Sequence, residues 1–225
     1  MGEPVSSPIR VLIVDDQRML AESLGRLLTT EGITVVGVAV TGQAALQLAT
    51  DLRPDVVLVD YRLPDQDGAA LVVEIKRRDP TIMAVMFTAS AEHQVLLAAI
   101  DAGCSGFLTK DQGAAEVIEA VRAAAVGDSV VSPAILARLL RTLDRTPRRI
   151  GSDLTDRECE ILNCLTRGLT NKFIADELGL SVHTIRNYVQ SILTKMGAHS
   201  KLEAVSIAVR EGIIDYPQSP HRPTD

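Results

Sequence analysis

The segment Val59-Asp60-Tyr61-Arg62-Leu63-Pro64-Asp65-Gln66-Asp67-Gly68 brings the stretch Asp55 to Val59, apolar after its acidic start, to a stop on a second acid. A continuous apolar run bounded by turn residues predicts a strand buried on both faces, with Asp60 where that strand meets water. Leu63-Pro64 and Asp67-Gly68 supply the turn chemistry that leads the chain away from the sheet. The same grammar recurs along the chain. Arg10 to Val14 runs into Asp15-Asp16, Thr81 to Phe87 ends on Thr88, and Gly106 to Thr109 ends on Lys110. Groups at the carboxyl ends of strands in an open parallel sheet converge on one crevice. Here the crevice gathers carboxylates, a hydroxyl and an ammonium.

Three carboxylates close together repel unless a positive charge sits between them. A hard dication with oxygen ligands removes the conflict, and Mg²⁺ held by few carboxylates plus phosphate oxygens suits the set. Lys110 and Thr88 are then placed to meet a phosphoryl group as a point charge and a hydroxyl donor. The implied chemistry is phosphoryl transfer to a carboxylate, with cation and lysine offsetting the developing charge.

Asp15-Asp16, Asp60, Leu63-Pro64, Asp67-Gly68, Thr88-Ala89 and Gly106-Phe107-Leu108-Thr109-Lys110 resemble the receiver domain of two-component response regulators. By that resemblance Asp60 is the phosphoacceptor, and Asp15, Asp16, Asp60 and the backbone carbonyl of Arg62 hold Mg²⁺. Thr88 and Lys110 bind phosphoryl oxygens, and Phe107 fills the switch-aromatic position.

Alternating strand and helix patterns over residues 8–127 predict an α/β, doubly wound five-stranded parallel domain. The resemblance implies flavodoxin-like order 2-1-3-4-5. In the first helix Met19, Leu20, Ser23, Leu24, Leu27 and Leu28 recur at helical spacing, and Gly32 closes it. Residues 128–152 read as a linker. Ser132-Pro133 starts a helix with an Ile135, Leu136, Leu139, Leu140, Leu143 stripe, and Arg145 to Gly151 forms a hinge. Met1 to Pro8 and residues 216–225 read as a disordered leader and tail.

From Leu154 the texture becomes all-α, with four short helices expected over residues 153–215. Thr155-Asp156-Arg157-Glu158 is a capping box. Two helices joined by Gly179-Leu180-Ser181 form a helix-turn-helix pattern. Leu154 to Glu158, Gly168 to Ala175 and Ser181 to Gly197 resemble the LuxR-type DNA-binding domain, so the whole chain resembles a NarL/FixJ-family response regulator. Two positions depart from that pattern: Phe173, usually an acid, and Tyr188, usually His. Phe173 is expected to be partly buried, and Tyr188 keeps a donor for phosphate. Arg186, Asn187 and Gln190 share one helix face. Arg forks onto guanine, and Asn or Gln onto adenine. By family position these residues meet base edges or nearby phosphates, with Lys172, Thr184 and Tyr188 on the DNA backbone.

Composition agrees with this division. Net charge is −6, with 46% hydrophobic and 23% charged residues, an ordinary globular balance. Residues 1–128 hold 10 Lys+Arg against 18 Asp+Glu, or −8, leaving +2 for the remainder. An acidic front and a mildly basic back suggest two modules, the second with a polyanion partner. No apolar run reaches about 18 residues, the N-terminus lacks signal-peptide order, and a cytoplasmic protein is expected. Cys104, Cys159 and Cys164 form no CxxC and are read as reduced core thiols. His93, His183, His199 and His221 are scattered.

The expected function is a phosphorylation-switched transcription regulator, not an enzyme. A dehalogenase-like phosphatase needs a second acid where Arg62 stands, and no Gly-x-x-x-x-Gly-Lys loop exists. The alternative is a helix-turn-helix regulator whose receiver only docks partners. The resemblance implies a sensor histidine kinase, double-stranded promoter DNA and homodimerisation on phosphorylation. The paired surface would be the fourth- and fifth-helix face or the first helix. RNA polymerase is a further candidate partner.

Overall fold

The structure, a computed structural model, describes residues 8–90, 92–131 and 154–214. It divides into two compact units, with the boundary between Val131 and Ser132. The expected linker helix, the Arg145 to Gly151 hinge, the tail and most of the leader lie outside the described residues.

In the first unit, strands and helices alternate: β1 (Arg10–Val14), α1 (Arg18–Thr30), β2 (Thr34–Ala39), α2 (Gly42–Leu52), β3 (Val56–Val59), α3 (Gly68–Arg78), β4 (Met83–Thr88), α4 (His93–Asp101), β5 (Gly106–Thr109), α5 (Ala114–Ala125) and β6 (Val130–Val131). The sheet order is β2-β1-β3-β4-β5-β6. Every neighbouring pair is parallel. The order of the first five strands is the expected one, because each crossover passes through a helix and packs it back on the sheet.

The sixth strand is an addition that the sequence does not announce. Gly127 takes a left-handed φ of 75° and turns the chain back along the edge. There Gly106 pairs with Val130, and Phe107 with Val131. A two-residue strand is too short to carry a period, so from sequence the stretch reads as linker.

All four residues of β3 are at most 1% exposed, as a strand covered on both faces requires. One core layer joins Ile13, Leu58, Val85 and Leu108 to Ala21, Leu24 and Leu28 of α1 and to Val117 and Val121 of α5. Met19 does not join it; it is 85% exposed. It precedes Ala21 by two residues, which places it about 160° around the helix from the buried stripe. The thiols of Cys104, Cys159 and Cys164 are free. Burial pushes the Cys104 thiol up to about 12, so it stays protonated and inert.

The second unit contains α6 (Asp156–Thr166), α7 (Asn171–Leu178), α8 (Val182–Met196) and α9 (Lys201–Arg210). Its core is built from Ile161, Leu162, Ile174, Ile185, Ile192, Leu202 and Val205, all buried. Each helix opens on a capping hydroxyl from Thr155, Thr170, Ser181 or Ser200, a device that typically contributes about 1 kcal/mol. The expected capping box is present: Thr155 and Glu158 bond reciprocally.

Candidate phosphoacceptor site and nucleic-acid face

Asp60 and Asp15 sit one residue beyond β3 and β1. The sheet ladder still holds them: Asp60 N–H donates to the Val14 carbonyl at 2.8 Å, and Asp15 N–H to the Ala39 carbonyl at 3.0 Å. Lys110 follows β5 in the same way, its N–H donating to the Thr88 carbonyl at 2.8 Å. Continuing the ladder past the last apolar residue is what aims these side chains over one rim of the sheet. Carboxylate oxygens of Asp15, Asp16 and Asp60 lie within 4.8 Å of one another.

Lys110 bridges the acids. Its Nζ stands 2.7 Å from Asp15 Oδ2 and 2.6 Å from Asp60 Oδ2. Asp15 and Asp60 are buried, while Asp16 faces solvent. Burial acts to lower the ammonium's pKa, but the bonds and charges of Asp15 and Asp60 outweigh it and hold Lys110 above the usual lysine range. One cation against three acids leaves the cluster net negative. Its remaining oxygens are hard donors suited to a divalent ion such as Mg²⁺. Asp15 Oδ1 also accepts the Gln17 N–H at 2.9 Å, and Asp60 Oδ1 the Arg62 N–H at 3.3 Å.

Thr88 is buried at the end of β4, and its Oγ1 accepts the Ser90 N–H at 3.3 Å. As a hydroxyl it can still donate. Phe107 is 1% exposed and lies in the hydrophobic interior. The structure therefore brings Asp15, Asp16, Asp60 and Lys110 together, and buries Phe107 within β5.

Three contributors are not legible as site residues from sequence. The ring of Phe87 lies beneath Lys110, with its centroid 6.0 Å from Nζ. Gln112 accepts the Thr109 N–H at 2.8 Å, and its own N–H donates to the Thr109 carbonyl at 3.0 Å, which fixes the turn after β5. Asp65 reaches α2, accepting the N–H groups of Gly42 at 2.8 Å and Gln43 at 2.9 Å. Phe87, immediately before the site hydroxyl, is the one position with a local signal.

In the second unit, α7 ends at Gly179, whose left-handed φ of 64° frees the chain to turn. Leu180 N–H returns to the Ala175 carbonyl at 2.9 Å. Ser181 then caps α8 through the Thr184 N–H at 3.0 Å. Ile185, Val189, Ile192 and Met196 point α8 into the core. Arg186, Asn187 and Gln190 stand exposed on the other side; Thr184 and Tyr188 are half-buried at its edges. Asn187 Nδ2 lies 3.5 Å from His183 Nε2. Lys172 is exposed in the first turn of α7. These are the residues expected to face DNA: α8 presents Arg186, Asn187 and Gln190 outward with Thr184 and Tyr188 at the margins, and Lys172 is exposed on α7.

Phe173 corrects an expectation: it is 63% exposed. The core-facing positions of α7 are Asn171, Ile174 and Ala175, which leaves position 173 on the outer side.

Helix α8 is fixed by a carboxylate. Glu158, 3% exposed, accepts Ser191 Oγ–H at 2.6 Å, Lys195 Nζ–H at 2.7 Å and the Thr155 N–H at 2.8 Å. Burial works to raise its pKa, yet Lys195, Ser191 and Thr155 overcome it and hold the group at about 2. The buried pair Lys201–Asn171, 2.7 Å apart, ties α9 to α7. In the sequence Glu158 reads only as the end of a capping box.

Residues 11–122 match the family described as "Response regulator receiver domain". Residues 152–208 match the one described as "Bacterial regulatory proteins, luxR family". The transcriptional regulatory protein YdfI of Bacillus subtilis is 34% identical over 208 residues, spanning 91% of this chain and 97% of its own. The probable transcriptional regulatory protein NarL of Mycobacterium tuberculosis is 32% identical over 216 residues, or 96% of this chain and all of the relative. The solved signal receiver domain of the M. tuberculosis NarL is 33% identical, covering 54% of this chain and 99% of that one, with a TM-score of 0.52. Among the described residues, no helix is long and apolar enough to cross a membrane.

Proposed function

Since the chain belongs to the NarL/FixJ response regulators, transcriptional regulators that join a receiver domain to a LuxR-type DNA-binding domain, we propose that Asp60 accepts a phosphoryl group and thereby controls sequence-specific DNA binding. The observation that carries this reading is Lys110 Nζ seated between Asp15 and Asp60, with Asp16 completing the acidic rim.

In the proposed step an Asp60 carboxylate oxygen attacks phosphorus. The new O–P bond forms as the bond from phosphorus to the donor breaks, and the electron pair leaves with the donor. A sensor histidine kinase supplies the group from a phosphohistidine; a small acyl phosphate can also serve. Asp15, Asp16, Asp60 and the Arg62 carbonyl would hold Mg²⁺, which when bound offsets the charge on the phosphoryl oxygens. Lys110 then exchanges one carboxylate partner for a phosphoryl oxygen, and Thr88 donates its hydroxyl proton to another. Their movement, with that of Phe107, biases an equilibrium between two arrangements of the domain.

Paired copies of the phosphorylated chain would place two α8 helices at two half-sites on duplex DNA. Arg186, Asn187 and Gln190 read base edges there, while Lys172, Thr184 and Tyr188 hold phosphates.

Acetyl phosphate with Mg²⁺ tests the acceptor directly. Intact-mass and peptide analysis should find one phosphoryl group on wild type, mapped to the peptide holding Asp60, and none on Asp60→Asn. Labelling that persists in Asp60→Asn would place the acceptor elsewhere.

A further inference from the structure

We infer that Asp65 is a positioning residue for the acidic cation site, pinning the loop between Asp60 and Gly68 to the first turn of α2. The inference rests on reading the Asp15–Asp16–Asp60 cluster as a Mg²⁺ site.

A helix leaves its first N–H groups without partners inside the helix. In α2 the first three are satisfied from outside. Gly42 and Gln43 N–H donate to the two oxygens of Asp65 at 2.8 and 2.9 Å. Ala44 N–H donates to Thr41 Oγ1 at 3.2 Å. The two caps have different origins: Thr41 is local, whereas Asp65 lies 23 residues from Gly42 and arrives on the loop that follows Asp60. A carboxylate at this end of a helix also meets the positive pole of its dipole. The Gly42 and Gln43 N–H groups, chiefly, hold the Asp65 carboxyl below its usual range.

The loop is closed at its base as well as anchored at its tip. Gly68 N–H donates to the Tyr61 carbonyl at 2.7 Å, and Arg62 and Asp67 form an antiparallel bridge. A Cβ on Gly68 would lie 2.2 Å from the Asp60 carbonyl oxygen, and one on Gly42 would lie 2.0 Å from Gln66 Nε2. Glycine at both places lets backbone meet backbone at the base and side chain meet helix at the tip. Arg62, whose backbone carbonyl the site reading makes a ligand, lies between these two restraints. Outer partners that fix a ligand's orientation commonly change metal affinity 10–100-fold when removed.

Thr41 provides the control. If Asp65 serves only as a cap for α2, removing either cap costs stability and neither changes cation binding. Mg²⁺ dissociation constants of the full-length chain by titration calorimetry, with thermal unfolding in EDTA, separate the cases. Asp65→Ala should weaken Mg²⁺ binding about tenfold, while Thr41→Ala should lower the unfolding temperature and leave the Mg²⁺ constant unchanged. If Asp65→Ala does not fold, Asp65→Asn, which keeps shape and one acceptor oxygen, carries the same comparison. A wild-type Mg²⁺ constant in the Asp65 variant, or equal weakening in both variants, overturns the inference while leaving the cation site standing. A wild-type chain that binds no Mg²⁺ overturns both.

Discussion

Replacing Lys110 by Met keeps the apolar stem and removes the charge that the receiver's acids share. Its Nζ is 2.7 Å from one carboxylate and 2.6 Å from another, and the three side chains are only 10%, 4% and 6% exposed. Breaking a buried ion pair by deleting one partner costs about 3–5 kcal/mol, because the surviving charge is left uncompensated. Asp16 faces solvent, so water and counterions reach the rim, and the lower end, about 3 kcal/mol, applies. For a domain of this size that is a fall of roughly 10 °C in the receiver's unfolding temperature. The variant should also respond more to Mg²⁺ than wild type, since no ammonium competes with the ion for carboxylate oxygens. Thermal unfolding followed by circular dichroism, in EDTA and across a Mg²⁺ titration, measures both effects. Lys110→Met unfolding at the wild-type temperature in EDTA, or gaining no more from Mg²⁺ than wild type gains, would refute the reasoning.

Arg186→Ala should weaken specific operator binding by about 1–3 kcal/mol and relax sequence preference, whereas Lys172→Ala should weaken all sequences alike and reduce the salt slope by about one; competition binding at several salt concentrations separates them. For Glu158, held at about 2 in the fold against an ordinary value of 4.5, a depressed pKa means its stabilisation is complete above 4.5 and is lost as pH falls toward 2. Chemical unfolding should therefore show wild type ahead of Glu158→Gln at neutral pH, with the gap closing over that acidic window. Gly68→Ala forces a Cβ to 2.2 Å from the Asp60 carbonyl oxygen and should destabilise the receiver by about 1–3 kcal/mol, read as a lower denaturant midpoint.

The parts of this molecule written locally are legible in its amino-acid sequence. β3 and Asp60 are such a part: an apolar run ending on an acid marks both the buried strand and the rim of the sheet at which it stops. The helix-turn-helix is another, because Gly179, Ser181 and the Ile185, Val189, Ile192 spacing state the turn, the cap and the inward face in adjacent residues. What escapes a sequence reading depends on distance along the chain. Asp65 looks like an ordinary turn acid because its partners at Gly42 and Gln43 belong to another element. Glu158 announces its capping box, but its grip on Ser191 and Lys195 spans 33 and 37 residues. Phe173 and Met19 mislead for a different reason. Apolar character predicts burial only when the helix phase agrees, and at both positions the phase points outward.

On the proposed reading, a phosphoryl group on Asp60 governs what α8 binds. Fluorescence anisotropy with promoter DNA, recorded before and after treating the full-length chain with acetyl phosphate and Mg²⁺, tests it most directly. Phosphorylated wild type should bind more tightly and with sequence selectivity, and Asp60→Asn should show no response. Identical binding curves for the labelled chain, the unlabelled chain and the Asn variant would contradict it.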